Sequence, residues 1–276
     1  MRRHPTLVML LLVLFSAVSS AAEPAEWPRW RGPDGNGIAP DVEVNPKALA
    51  GQPRIAWKAS LGTGFSSVAV AGGRVYGLGN TNGTDTVFCL NAGTGRVLWK
   101  YSYRCAQGSY PGPRATPTVH EGVVYTLSRE GHLFALEATT GRVRWQKHLA
   151  DDLGIRSPQW DFAGSVVVAG DRLLLNAGRS GLALNRNTGA TVWESGRGPG
   201  GYATPVLADL AGRLSAVIFG ERTAYGVDVA DGTVRWSFPW VTGSDVNAAD
   251  PVVLGDRVFV ASAYSKGSAL YDVSGA

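Results

Sequence analysis

Two cysteines, three histidines beyond the amino terminus and a scatter of acids are the residues of this 276-residue chain with chemistry to offer. Cys89 and Cys105 lie sixteen positions apart. An oxidising compartment would permit a disulfide between them. Spacing alone does not bring their Cα atoms within about 7 Å, so a disulfide and two free thiols both stay open. His120, His132 and His148 fall in different strands or turns, without metal-ligand spacing. Asp161, Asp245, Asn247 and Asp250 carry oxygens, and calcium needs several that converge. Their spacing matches no loop motif, and they read as turn and capping residues. Glu130, in Arg129-Glu130-Gly131, reads as a solvated acid in a turn. No Gly-x-Ser-x-Gly nucleophile turn occurs, and Gly62-Thr-Gly64 lacks the remainder of a phosphate loop. No catalytic residue is assigned, and these residues imply neither metal nor cofactor.

Binding chemistry is better represented. Four long loops are rich in aromatic residues: Tyr101 to Arg114, Ile155 to Phe162, Gly198 to Tyr202 and Trp240 to Asn247. Tyr, Trp and Arg are frequent interface anchors, and loops held on a rigid scaffold commonly carry function. Tyr110, Arg114, Trp160, Asp161, Tyr202, Asp245 and Asn247 are therefore the expected binding rim.

The elements that must hold this rim repeat. Asn91-Ala-Gly-Thr94-Gly95-Arg-Val-Leu-Trp99 returns at Glu137–Trp145, with Thr140 and Gly141. It returns at Asn185–Trp193 with Thr188 and Gly189, and at Asp228–Trp236 with Asp231 and Gly232. Trp99, Trp145, Trp193 and Trp236 are 46, 48 and 43 residues apart. A period of about 40–50 residues filled with short strands indicates propeller blades. Thr or Asp bonds the local backbone and Gly takes the left-handed conformation. The Trp four residues on is expected on the outermost strand, packed against the neighbouring blade, with Trp57 42 residues earlier and in phase.

The expected fold is all-β, a propeller of four-stranded antiparallel blades. A closing strand covers 54–60, blades cover about 66–101, 116–148, 165–194 and 204–238, and an incomplete fifth covers 250–276. The next Trp falls due at 279, beyond the last residue. The preferred expectation is a fragment of a larger ring. The alternative is a five-bladed ring that the Trp57 strand closes.

Residues 1–22 read as a signal peptide: Arg2 and Arg3, then a mostly apolar Leu7–Val18, then Ser20-Ala21-Ala22. The apolar run is shorter than the about 20 residues of a spanning helix. The mature chain is expected to be exported, periplasmic or extracellular, without a membrane span. Removing these residues takes two of 26 basic residues and none of 22 acidic ones. The remaining charge is too balanced for a nucleic-acid partner, which needs a clustered basic stripe. Residues 23–53 read as an irregular leader whose Trp27 and Trp30 tuck against the body.

The Ala-x-Thr-Gly-x-x-x-Trp unit, clearest at Glu137–Trp145, resembles the pyrroloquinoline-quinone-type propeller repeat. The resemblance covers about 54–276 and implies a seven- or eight-bladed ring. One branch of that family contains alcohol dehydrogenases that use the quinone and calcium. Another contains non-enzymatic scaffolds resembling the outer-membrane assembly lipoprotein. Many exported bacterial members have no known activity, and the leader Trp27–Gly37 resembles theirs. The dehydrogenases stack their quinone on a disulfide of adjacent cysteines, which Cys89 and Cys105 are not. The resemblance therefore implies a non-catalytic binding scaffold with a protein or peptide partner. The alternative it leaves is a quinone- and calcium-dependent alcohol dehydrogenase.

Overall fold

In the computed structural model, residues 26–39, 46–52 and 54–275 are described. Residues 1–22, expected to be a signal peptide, and residues 23–25, 40–45 and 53 of the leader lie outside them.

Short strands fold into five antiparallel sheets in chain order. The first blade is β1 (Ala69–Ala71), β2 (Arg74–Thr81), β3 (Thr84–Asn91) and β4 (Val97–Arg104). The second is β5 (Thr118–His120), β6 (Val123–Leu127), β7 (His132–Glu137) and β8 (Val143–His148), followed by a helical turn, Leu149–Leu153. The third is β9 (Val167–Ala169), β10 (Arg172–Leu175), β11 (Leu182–Asn185) and β12 (Thr191–Glu194). The fourth is β13 (Val206–Leu210), β14 (Arg213–Phe219), β15 (Thr223–Asp228) and β16 (Val234–Pro239). The fifth has three strands, β17 (Val252–Leu254), β18 (Arg257–Ser262) and β19 (Gly267–Asp272). Two middle strands of each complete blade are almost wholly buried, as in Val123–Leu127, whereas the last strand alternates. That pattern is a sheet sandwiched between neighbours with one edge at the periphery.

Residues 54–60 form no strand, so the expected closing strand is absent there. Its Trp57 docks alone, and no outer strand stands beside it among the described residues. The first blade runs to Arg104 rather than Tyr101, because Thr84–Thr86 of the long β3 still pair with it.

The Thr-Gly turns share one geometry. In each, the glycine N–H donates to the carbonyl four residues before: Gly95 to Asn91, Gly141 to Glu137, Gly189 to Asn185 and Gly232 to Asp228, at 2.8–2.9 Å. Thr94, Thr140 and Thr188 place their hydroxyls on the side chain three residues before, and Asp231 accepts from the Thr233 N–H. A register shift after Cys89, Ala135, Ala183 and Gly226 recurs in the outer pairing of all four blades. Those residues face Trp99, Trp145, Trp193 and Trp236, so each indole stands opposite a small residue.

The indoles cross to the following blade. Nε1 of Trp57, Trp99, Trp145 and Trp193 donates to the carbonyls of Ala92, Ala138, Arg186 and Val229, at 2.9–3.0 Å. Each ring lies against the turn glycine there. A Cβ on Gly141, which has φ +72°, would come within 2.6 Å of the Trp99 ring. Only a residue that tolerates positive φ and offers no side chain fits. Trp236 joins Val258, Val260 and Val273 of the fifth blade in one buried cluster. The core is accordingly a series of layers between adjacent blades, as in other repeat architectures.

The leader lies along the inner strands. Trp27 pairs with Val70 of β1 in both directions, and Val119 of β5 donates to the Pro28 carbonyl at 2.7 Å. Trp30 Nε1 reaches Asp250 Oδ2 at 2.6 Å, before the fifth blade. The leader thus gives partners to inner edges that would otherwise be unpaired.

Candidate functional site

First strands of neighbouring blades pack side by side (β1 by β5, β5 by β9, β13 by β17), so these strands are innermost. Antiparallel order then sends every connection between blades to one face. There the loops meet around a cavity of about 390 Å³. Phe65 precedes the first blade. Tyr110 and Arg114 come from the next loop, Trp160 from the third, Tyr202 from the fourth, and Tyr264 from the β18–β19 turn. Ala163, Val246 and Ala248 complete the wall. Phe65, Tyr110 and Tyr264 are more than half exposed.

The rim is braced through main-chain atoms. Arg114 Nη1 donates to the Trp160 carbonyl at 2.5 Å and Nη2 to that of Tyr110 at 3.2 Å. Trp160 N–H donates to the Tyr202 hydroxyl at 3.2 Å. The Tyr110 and Trp160 rings meet edge-on, centroids 5.7 Å apart. Arg129, almost fully buried, holds Asp161 Oδ2 with Nε at 2.9 Å and with Nη2. Arg114 Nη1 is 4.0 Å from that oxygen. Asp161 therefore separates two guanidinium groups. Burial, and then the neighbouring Arg129, lower the Arg114 pKa while Asp161 opposes them. Arg114 still remains a cation at neutral pH. Burial raises the Tyr202 phenol, which therefore stays neutral.

Of the seven expected rim residues, Tyr110, Arg114, Trp160 and Tyr202 line this cavity. Asp161 supports it from behind. Asp245 is not among the lining residues; it pairs with Arg222 at 3.5 Å. Asn247 is fully buried and corrects the expectation of an exposed rim residue. Its Nδ2 donates to the carbonyls of Gly220, Glu221 and Trp240, and its Oδ1 accepts from Ser262. A carboxamide with that many partners is structural. Phe65 and Tyr264 were missed because they stand outside the aromatic clusters in sequence. The loop position of Phe65, just ahead of β1, was the available signal.

The site has aromatic walls and one cation, with no nucleophile–base pair among its lining residues. The oxygens of Asp161, Asp245, Asn247 and Asp250 do not gather, since each has its own partner; Asp250 takes Trp30 and the Thr204 N–H. Cys89 is buried in β3 opposite Trp99, and Cys105 is buried just past β4; both are free thiols. The described residues thus supply neither a disulfide to stack a quinone nor a convergent calcium shell. Burial pushes the Cys89 thiol up to about 11 and raises Cys105 further. Alkylation after denaturation without reductant is expected to label both sulfurs; a protein that gains label only after reduction would contradict free thiols.

A five-sheet radial array with indole-on-glycine docking defines a quinoprotein-type repeat propeller. The family model described as outer membrane protein assembly factor BamB matches residues 47–160 and 107–275, and the chain belongs to that family. It is 29% identical over 192 residues to quinoprotein ethanol dehydrogenase of Pseudomonas aeruginosa, covering 62% of this chain and 29% of that protein. It is 33% identical over 165 residues to outer membrane protein assembly factor BamB of Alkalilimnicola ehrlichii, covering 55% of this chain and 40% of that one. The chain therefore spans less than half the length of either relative. Among solved structures, quinohemoprotein alcohol dehydrogenase from Comamonas testosteroni superposes with a TM-score of 0.63. That match is 14% identical and covers 91% of this chain and 46% of that one. Among the described residues no helix is long and apolar enough to cross a membrane.

Proposed function

We propose that the chain is an exported, non-catalytic binding scaffold whose axial cavity receives an extended stretch of protein or peptide. The observation that carries this reading is the convergence of Phe65, Tyr110, Trp160, Tyr202 and Tyr264 from separate loops around one opening. Exposed apolar surface gathered in a concave site marks a binding surface. Phenol and indole groups provide broad contact at small entropic cost, and Arg114 adds a donor for a carbonyl or carboxylate. The relatives named as outer membrane assembly factors support a protein partner over a small substrate. A role without cofactor is supported by the dispersal of the four candidate calcium donors.

Titration of the purified chain with short peptides of graded aromatic content tests the reading. Aromatic peptides are expected to bind, and Trp160→Ala and Tyr110→Ala each to weaken binding by about 2 kcal/mol, roughly thirtyfold. The bonds these residues make to Arg114 use backbone carbonyls, so truncating the side chains leaves the brace in place. Indifference of both variants would remove the site. Stoichiometric uptake of pyrroloquinoline quinone with calcium, accompanied by dye-linked alcohol oxidation, would establish the dehydrogenase alternative instead.

A further inference from the structure

Beside the aromatic cavity, on the same face, a second cavity of about 840 Å³ opens between the first two blades. The β2–β3 turn, the segment after β4 and the β6–β7 turn form its wall. Three dissimilar donors meet there. The Cys105 sulfur, a Glu130 carboxylate oxygen and a His132 ring nitrogen all lie within 4.8 Å of one another. In sequence they are a loop cysteine, a turn acid and the first residue of a strand. Only the packing of the first blade on the second joins them.

The surroundings hold two of these donors in place. Ser128 Oγ lies 3.1 Å from His132 Nδ1 and accepts the His132 backbone N–H at 2.9 Å. Nε2 carries no hydrogen bond among the described residues. The ring is wedged between Tyr103 and His148, at centroid distances of 5.3 and 4.5 Å. The Cys105 carbonyl accepts from Asn80 Nδ2 at 2.9 Å, and its N–H donates to Gly83. Glu130, half-buried, makes no hydrogen bond or ion pair with any described residue. An unpartnered carboxylate thus stands beside an imidazole and a thiol, the thiol also facing Asp85 and Ser128.

We propose that Cys105, Glu130 and His132 form a binding site for a divalent cation of borderline softness, such as Zn²⁺, with the fourth position open to the cavity. Sulfur and imidazole favour such ions over calcium or magnesium, and a carboxylate completes a three-ligand shell. Ligands at ordinary zinc distances lie about 3.5 Å apart across a tetrahedral edge. The trio therefore has to close by only a small rotation of its side chains. On binding, the Cys105 S–H bond breaks, a sulfur–metal bond forms and the proton passes to solvent. Nothing is oxidised or reduced. Ser128 is the positioning residue, since its Oγ contacts Nδ1 and accepts the His132 backbone N–H, which fixes the ring.

The test is titration of the reduced, chelator-treated chain with Co²⁺, followed by displacement with Zn²⁺. One equivalent of Co²⁺ is expected to bind and to give the near-ultraviolet sulfur-to-cobalt charge-transfer band, which Zn²⁺ then removes. Cys105→Ser should abolish the band, while Cys89→Ser should keep it. Glu130→Gln and His132→Gln should each weaken binding tenfold or more. Those two residues are only part-buried, so they keep the test decisive if the buried Cys105→Ser fails to fold. Absence of the band, its survival in Cys105→Ser, or unchanged affinity in both Glu130→Gln and His132→Gln would overturn the site. Peptide binding at the aromatic cavity is read separately and stands or falls on its own.

Discussion

Trp193→Ala should cost about 3–5 kcal/mol of stability, the usual range for emptying a buried indole site. The Trp193 indole is 9% exposed and fills the contact between the third and fourth blades. Its N–H donates to the Val229 carbonyl at 3.0 Å and its face covers Gly232. Alanine removes the packing and deprives the Val229 carbonyl of its indole donor. In a chain of this size the melting temperature should fall by about 10 °C. Phenylalanine keeps part of the packing but not the hydrogen bond, so it should be intermediate. Gly232→Ala attacks the same contact from the other side: φ is +76°, and the new Cβ would lie 2.6 Å from the ring. Because blades contact mainly their neighbours, losing one joint should also broaden the transition by uncoupling the two ends. Calorimetry on the three variants measures this; a loss below about 1 kcal/mol for Trp193→Ala would mean that the indole is not a joint.

Asp161→Ala should be the most damaging of the changes away from the indole joints. Its carboxylate separates Arg129, almost fully buried, from Arg114. Removing one partner of a buried ion pair costs about 3–5 kcal/mol, because the other charge stays desolvated. Asp161 is about a quarter exposed, which places the expectation near the lower end, about 3 kcal/mol. Asp161→Asn should be milder, since the amide oxygen still accepts from Arg129. The Arg129→Ala/Asp161→Ala double variant should lose clearly less than the sum of the single losses, the sign of a coupled pair. Urea unfolding of the four proteins gives that cycle, and strict additivity would sever the link. Arg129 and Arg114 both reach the Tyr110 carbonyl, so peptide binding should fall along with stability in Asp161→Ala.

The scaffold is legible in the chain without coordinates. Thr-Gly turns, a Trp four residues beyond each, and a spacing of 43 to 48 residues are local patterns, and local patterns are legible without a fold. The turn chemistry works within five residues, from Asn91 to Gly95 for example. The indole's target is one period away, so repetition itself pointed to the neighbouring blade. Tyr110, Arg114, Trp160 and Tyr202 were also legible as loop aromatics and a cation, because a propeller gathers such loops on one face.

Which residues converge depends on how the blades pack. Asn247 resembled its exposed neighbours in composition, yet Gly220, Glu221, Trp240 and Ser262 draw its carboxamide inward. Residues 54–60 have the composition of a strand and pair as none. The leader's course along the inner strands rests on Val70, Val119 and Asp250, which lie far from it in sequence. Cys105, Glu130 and His132 meet only across two blades. The physical reason is common to all four. The angle between adjacent sheets comes from packing many side chains at once, and a rotation of a few degrees decides which loop atoms touch near the axis. No short window of sequence carries that angle.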